Sequence, residues 1–362
     1  MSLLGFAKFS RRLTLPRVPD PIPGSINRMN TPSRRRAIKT LFCSSAAMAL
    51  NLRPGISRAE IGKGGLNFLA IGDYGTGSTD QKKVAQAMRS FADRNRITPD
   101  ALLMLGDNFY SAVKEGFTTD SKRWQTDVED MYPASVFPGP MYAIPGNHDY
   151  HDNEGGEKVQ LAYARIPGVR WTYPSKWYRV DFGGSNPLLT LICLDTNLPT
   201  VSGTGKNKKT GKPLASMTKD EAAAQISWLK SELTKPRAPF TLVMAHHPVY
   251  SNGDHGDTGP LVKEWEPLLQ EHHVHAYLCG HDHDLQHLEL EGRFTSHIIS
   301  GGGGANTRKL QPTHRNVPYG KDVHGFTHLN VQPDAFAFTH YGVDGGVLHQ
   351  FTKRTDGKVE RG

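Results

Sequence analysis

Short apolar runs that end at a glycine followed by a carboxylate or an imidazole recur along this chain. Leu66 to Ile71 is one, ending at Gly72-Asp73, and Ala101 to Leu105 is another, ending at Gly106-Asp107. Between them, Gln81 to Asn95 places Val84, Met88 and Phe91 at helical spacing, which predicts a βαβ unit with an aspartate just past each strand. The pattern then repeats. Pro187 to Leu194 predicts a strand ending at Asp195, and Thr218 with Glu221 forms a capping box for a helix with Ile226, Leu229 and Leu233 on one face. Phe240 to Ala245 predicts a strand ending at His246, Leu261 to His272 a helix, and His275 to Cys279 a strand ending at Gly280-His281. From Arg293 onward, Phe294–Ser300, Phe326–Val331 and Ala335–Tyr341 read as antiparallel strands. Alternating strands and helices followed by strands alone indicate an α/β fold with a largely parallel core made mixed by its last third. In such folds ligands bind beyond the carboxyl ends of the strands, on loops the sheet holds in place.

Two polar segments interrupt the pattern and are expected to be mobile. Asp152 to Lys158 is short. Thr200 to Lys219 is rich in Gly and Lys and contains Lys206-Asn207-Lys208-Lys209. It reads as a loop over the site, its lysines either solvated or touching substrate.

Charge divides the chain in two. Residues 1–59 hold 11 of the 43 Lys and Arg but one of the 35 Asp and Glu, which leaves 32 basic against 34 acidic residues beyond them. The overall net charge of +8 therefore belongs to the leader, and nothing in the remainder calls for a nucleic-acid partner. The leader reads Ser33-Arg34-Arg35-Arg36-Ala37-Ile38-Lys39, then the mildly apolar Thr40 to Leu52, then Ser57-Arg58-Ala59. That is a charged segment, an apolar stretch too short to span a bilayer, and a small-x-small cleavage site. The twin arginine resembles a Tat signal, with Ala37 where Phe is usual. The reading is an N-terminal leader over 1–59, cleaved after Ala59, and one domain over 60–362. Met29 is an alternative start, and a plastid transit peptide is the alternative if residues 1–28 belong to the chain. A Tat signal implies passage through the Tat translocase to the periplasm or outside the cell. No other segment is a candidate membrane span. Of the three cysteines, Cys193 and Cys279 fall inside apolar runs, where a thiol is an inert core residue, so no disulfide framework is expected.

Five elements carry candidate chemistry: Gly72-Asp73-Tyr74-Gly75, Gly106-Asp107-Asn108-Phe109-Tyr110, Gly146-Asn147-His148-Asp149, Ala245-His246-His247-Pro248 and Gly280-His281-Asp282-His283. Each sets an oxygen or imidazole donor at a turn after a strand, and a glycine lets the backbone approach closely. Carboxylates and imidazoles without thiolates suit iron, zinc or manganese and exclude a structural cysteine–zinc site. One aspartate can bridge two ions about 3.5–4 Å apart, the spacing of two-metal phosphoryl chemistry. Tyr110 is the discriminating residue. A phenol with a pKa of about 10 serves as a ligand only to a strongly acidic ion, above all Fe(III).

These elements resemble those of the metallophosphoesterases, and Asp107-x-x-Tyr110 narrows the resemblance to the purple acid phosphatases, in particular the small tartrate-resistant acid phosphatases of mammals. It covers roughly residues 66–300 and extends to Ala162-Tyr163, Gln225-Ile226-Ser227-Trp228-Leu229 and Ala276-Tyr277-Leu278-Cys279. The resemblance implies a four-layer α/β/β/α sandwich. It also implies Fe(III) held by Asp73, Tyr110 and His283, a bridging Asp107, and a divalent Fe, Zn or Mn held by Asn147, His246 and His281. The implied activity is hydrolysis of phosphomonoesters at acidic pH, on a small molecule or a phosphoprotein, by a hydroxide generated at the metals. His148 resembles the histidine that contacts phosphate or protonates the leaving alcohol, and His255 stands at the position of a second. His247 replaces an aromatic residue of the mammalian enzymes, so three histidines compete for one or two roles. A phosphodiesterase on the same scaffold and a silent exported metal-binding module are the alternatives; Tyr110 counts against the first, and the complete ligand set against the second.

Overall fold

The structure is a computed structural model, and it describes residues 65–206, 211, 213–311, 315 and 317–361. The leader over 1–59, with its twin arginine and Cys43, lies outside the described residues, as do residues 207–209 of the lysine run.

Two mixed sheets form the framework. The first contains β1 (Leu66–Ile71), β2 (Ala101–Met104), β3 (Met141–Ala143) and β4 (Trp171–Thr172), then β12 (Gly325–Val331), β13 (Ala335–Gly342), β14 (Val347–Arg354) and β15 (Val359–Arg361), in the order β15-β14-β13-β12-β1-β2-β3-β4. The second contains β5 (Tyr178–Phe182), β6 (Leu189–Cys193), β7 (Phe240–Met244), β8 (Ala276–Cys279), β9 (Leu285–Leu288), β10 (Ser296–Ser300) and β11 (Tyr319–Lys321), in the order β11-β9-β10-β8-β7-β6-β5. Strands β1, β2, β3 and β4 run parallel, as do β6, β7, β8 and β10.

The apolar runs account for the layering. In β6, Leu189, Leu191 and Cys193 turn into the core between the sheets, while Ile192 and, just past the strand, Leu194 join a second core on the outer face. A strand buried on both faces reads as an unbroken apolar run. Between the sheets, Phe68 packs on Phe182 with centroids 4.8 Å apart and Phe240 on Phe336 at 5.6 Å. Helix α1 (Thr79–Asn95) covers the first sheet through Val84, Met88 and Phe91, the last meeting Phe326 at 5.7 Å. Three helices cover the second: α4 (Lys219–Thr234), α5 (Gly259–Glu264) and α6 (Glu266–Glu271), through Leu229, Leu233, Leu261 and Leu269. The result is the expected α/β/β/α sandwich. Among the described residues, no helix is long and apolar enough to cross a membrane.

Most predicted elements stand where the pattern puts them, and the α4 capping box forms with both reciprocal bonds. Three expectations change. The single helix over Leu261–His272 is two, broken at Trp265, because Pro267 lacks the N–H that would continue the ladder. The run Phe294–Ser300 yields β10, which is antiparallel to β9 but parallel to β8. Asp152–Lys158 is not a free loop: Asn153 and Glu157 are buried, and the segment leads into helix α3 (Gly156–Tyr163), which follows the short α2 (Asn147–His151). Cys193 and Cys279 are free and buried.

Candidate metal centre

The parallel strands of both sheets aim their carboxyl ends at one place. Asp73 follows β1, Asp107 follows β2, Asn147 opens α2 after β3, His246 follows β7 and His281 follows β8. Backbone bonds sew these turns together, Gly72 N–H to Ser300 O at 2.7 Å between the sheets, and Asp73 N–H to Gly106 O and Gly280 N–H to His246 O, each at 3.1 Å, within them. Asp73, Asp107 and His281 adopt positive φ of 57°, 52° and 69°. Non-glycine residues rarely adopt that region, and here the sheets impose it to turn three side chains inward. Two glycines make room for them. A methyl group on Gly146 would collide with the Asp107 carboxylate, and one on Gly280 with that of Asp73.

All seven expected ligands converge. Tyr110 Oη lies 3.2 Å from Asp73 Oδ1 and 3.2 Å from His283 Nε2, and donor atoms of Asp73, Asp107 and His283 lie within 4.8 Å of one another. On the other side, His246 Nε2 is 3.2 Å from Asn147 Oδ1, 3.3 Å from His281 Nδ1 and 3.5 Å from Asp107 Oδ1. Asp107 thus stands between a group of Asp73, Tyr110 and His283 and a group of Asn147, His246 and His281.

The hydrogen bonds behind the donors decide what faces inward. His246 Nδ1 donates to Leu105 O at 2.8 Å, and His283 Nδ1 donates to Asn306 O at 2.8 Å. A carbonyl only accepts, so each Nδ1 carries the proton and each Nε2 is left to bind a cation. The same conclusion follows from charge. Burial drives the Asp73 carboxyl well above its usual range, with the charge of Asp107 adding to it; a cation would reverse that penalty. Burial would lower His246, but Asp107 and Asp73 outweigh it and hold a second proton there, with a pKa of about 9. A metal at Nε2 would take that proton's place. Burial, then Asp107 and Asp73, raise the Tyr110 phenol well above 10, so only a strongly Lewis-acidic ion would make it a phenolate. The donor set fits a pair of metal ions.

Residues 66–285 match the family described as calcineurin-like phosphoesterases. The chain belongs to that family. Within it, the chain is 32% identical over 298 residues to human tartrate-resistant acid phosphatase type 5, covering 78% of this chain and 89% of the relative. It is 30% identical to purple acid phosphatase 7 of Arabidopsis thaliana, covering 79% and 85%. Among solved structures, the fold is similar to that of GAP50, the anchor in the inner membrane complex of Plasmodium, with a TM-score of 0.66 at 22% identity over 80% of this chain and 88% of that one. It is also similar to the purple acid phosphatase PPD1 from yellow lupin (Lupinus luteus) seeds, with a TM-score of 0.59 at 16% identity over 81% and 54%.

Around the centre of this calcineurin-like phosphoesterase, the three candidate proton donors separate. His148 is partly exposed, its backbone N–H donates to Asp107 Oδ1 at 2.8 Å, and its ring rests on Tyr110 with centroids 4.4 Å apart. Burial would lower it, but the 2.9 Å bond from Nδ1 to Asp152 and the charges of Asp107 and Asp152 lift it to about 9. His255 is also partly exposed. Its Nδ1 meets Asp282 Oδ1 at 2.9 Å, and its ring packs on His281 at 4.1 Å. His247 differs. It is buried, its Nδ1 bonds Thr196 Oγ1 at 2.8 Å, its ring lies 4.3 Å from that of His281, and burial keeps it neutral. Those contacts suit a support for His281 rather than a proton donor.

Two carboxylates in the quoted motifs do work the motifs did not reveal. Asp149 accepts the backbone N–H groups of Gly146 at 2.8 Å and of Asn108 and Phe109 at 3.1 Å, locking the Asp107 and Asn147 turns together. Asp282 accepts from Ser251 Oγ at 2.5 Å and from the backbone N–H and ring of His255. The available signal was a carboxylate inside each motif, in a turn where a buried charge requires donors. At the near side of the loop over 200–219, His151 Nε2 donates to Ala215 O at 2.9 Å, which joins that loop to α2.

Proposed function

We propose that the chain hydrolyses phosphomonoesters at acidic pH, using Fe(III) held by Asp73, Tyr110 and His283, a divalent ion held by Asn147, His246 and His281, and Asp107 between them. The observation that carries this reading is Tyr110, whose hydroxyl sits 3.2 Å from both Asp73 Oδ1 and His283 Nε2. When bound, the metals would supply the Lewis acidity that activates water and offsets phosphate charge. The residues do the rest. His148, held charged by Asp152, stands beside Asn147 to bind a phosphate oxygen or to give a proton to the leaving alcohol. His255, oriented by Asp282, is the second donor. Asp149 fixes the turns that carry Asp107 and Asn147, so the donors are set before substrate arrives.

The decisive measurement is the visible spectrum of the iron-loaded protein together with turnover of p-nitrophenyl phosphate and bis(p-nitrophenyl) phosphate between about pH 4 and 8. We expect a broad tyrosinate-to-Fe(III) band and preferred hydrolysis of the monoester at acidic pH. A colourless zinc or manganese enzyme of full activity would refute the iron assignment alone, and preference for the diester would refute the substrate class. We also propose that the leader directs Tat export. Export unchanged after Arg34→Lys with Arg35→Lys would reject that.

A further inference from the structure

A cavity of about 490 Å3 opens beside the centre, floored by Tyr110, His148 and His283. Its remaining wall carries the hydroxyls of Thr76, Ser78 and Thr307, the amide of Asn306 and the guanidinium of Arg308. Asp80 is the one carboxylate lining it among the described residues, and Lys83 pairs with that group at 2.8 Å. With His148 paired to Asp152 at 2.9 Å, Arg308 is, among the described residues, the lining cation that makes no ion pair with a carboxylate. Its backbone N–H donates to His283 O at 3.3 Å, which ties its position to a residue of the centre. Its Nη1 rests against the His255 ring, 2.9 Å from Nε2 and 3.0 Å from Nδ1, so it is aimed at neither lone pair, while His255 Nδ1 also faces Asp282. A guanidinium presents a planar fork suited to a carboxylate or phosphate, and the contact with the His255 ring engages one nitrogen of it.

We propose that Arg308 binds a second anionic group on the substrate. The preferred phosphomonoesters then carry a further phosphate or carboxylate on a small hydroxylated leaving group, which the surrounding hydroxyls and amide accommodate. The proposal rests on the phosphatase reading above and deepens it.

The test is steady-state kinetics of the metal-loaded enzyme on fructose 1,6-bisphosphate and on p-nitrophenyl phosphate, with Arg308→Gln and Arg308→Lys beside the unaltered protein. Inhibition by 3-phosphonopropionate and by propylphosphonate, which lacks the carboxylate, provides a readout of binding. Arg308→Gln should lower kcat/KM for the bisphosphate by about tenfold or more, the scale of one lost charge-assisted pair, mainly through KM. It should leave p-nitrophenyl phosphate within about threefold, erase the preference for 3-phosphonopropionate, and be partly rescued by lysine. Equal losses on both substrates would mean that Arg308 acts only through His255 and would overturn the proposal, as would no loss on either. If the unaltered enzyme turns over neither substrate, the phosphatase reading itself fails. Turnover of p-nitrophenyl phosphate with no preference for the second anion overturns this inference alone.

Discussion

His246 donates its Nδ1 proton to the backbone carbonyl of Leu105 at 2.8 Å. That one bond joins the turn after β7 to the end of β2 and leaves Nε2 facing Asp107 and Asn147. The tautomer is set by the backbone, so the ligand is ready before metal arrives. His246→Gln removes the Nε2 donor and should lower bound metal, read by elemental analysis, by about one ion per chain, with loss of most turnover. Retention of two ions at unchanged affinity would remove His246 from the ligand set.

Asp149 accepts three backbone N–H groups from the turns that carry Asp107 and Asn147, and side-chain bonds from Gln160 Nε2 at 2.8 Å and Asn108 Nδ2 at 3.2 Å. It touches neither cavity nor ligand atom, so its effect travels through geometry. Asp149→Asn keeps the shape but turns an NH2 group toward N–H donors. The buried mismatch should cost about 1–3 kcal/mol of stability and weaken metal affinity by about 10–100-fold. The two effects are read by denaturant unfolding and by competition with a chelator. An unchanged chelator titration would make Asp149 a folding residue only.

Of the seven expected donors, Asp73, Asp107, Asn147, His246 and His281 were legible because each follows a strand and comes directly after a glycine or alanine, so chain position and chemistry coincide, whereas Tyr110 and His283 were found through the motifs that contain them. What orients them was not. Asp149 serves N–H groups of Asn108 and Phe109 from a different turn, and that pairing exists only once β2 and β3 are side by side. His148, His247 and His255 are one residue type at three plausible positions, and burial together with the third partner, Asp152, Thr196 or Asp282, is what separates them. Edge strands were lost for another reason. Tyr178–Phe182 is buried mainly at its first residue and partly exposed along the rest, so no period of two stands out. The break between α5 and α6 was written in Pro267 but masked by an apolar rhythm that continues across it.

Tyr110 offers a test that separates metal identity from activity. Its ring packs on His148 while its hydroxyl alone reaches Asp73 and His283. Tyr110→Phe keeps the packing and deletes the oxygen. The variant should fold with a melting temperature close to that of the parent, lose the visible band and bind Fe(III) more weakly. A band that survives the substitution would assign the colour to another ligand.

Acid should erode this fold through histidines remote from the centre. His275 lies at the start of β8. Its Nδ1 accepts the Thr241 N–H at 3.1 Å and its Nε2 donates to Thr355 O at 3.2 Å, so both nitrogens are committed in the neutral ring. Burial lowers its pKa to about 4, and likewise lowers His340, bonded to Thr327 and Gln286, to about 3. A folded-state pKa below the unfolded value of about 6.5 means that the unfolded chain takes the proton first. The stability from neutral His275 is therefore complete above about pH 6.5 and is lost as pH falls to its folded value of about 4, a change of about 3 kcal/mol at the limit. Urea midpoints measured at intervals between about pH 7 and 4 should fall across that window. His275→Gln, although less stable at pH 7, should show a shallower fall. Parallel curves for the two proteins would show that His275 does not carry the acid sensitivity.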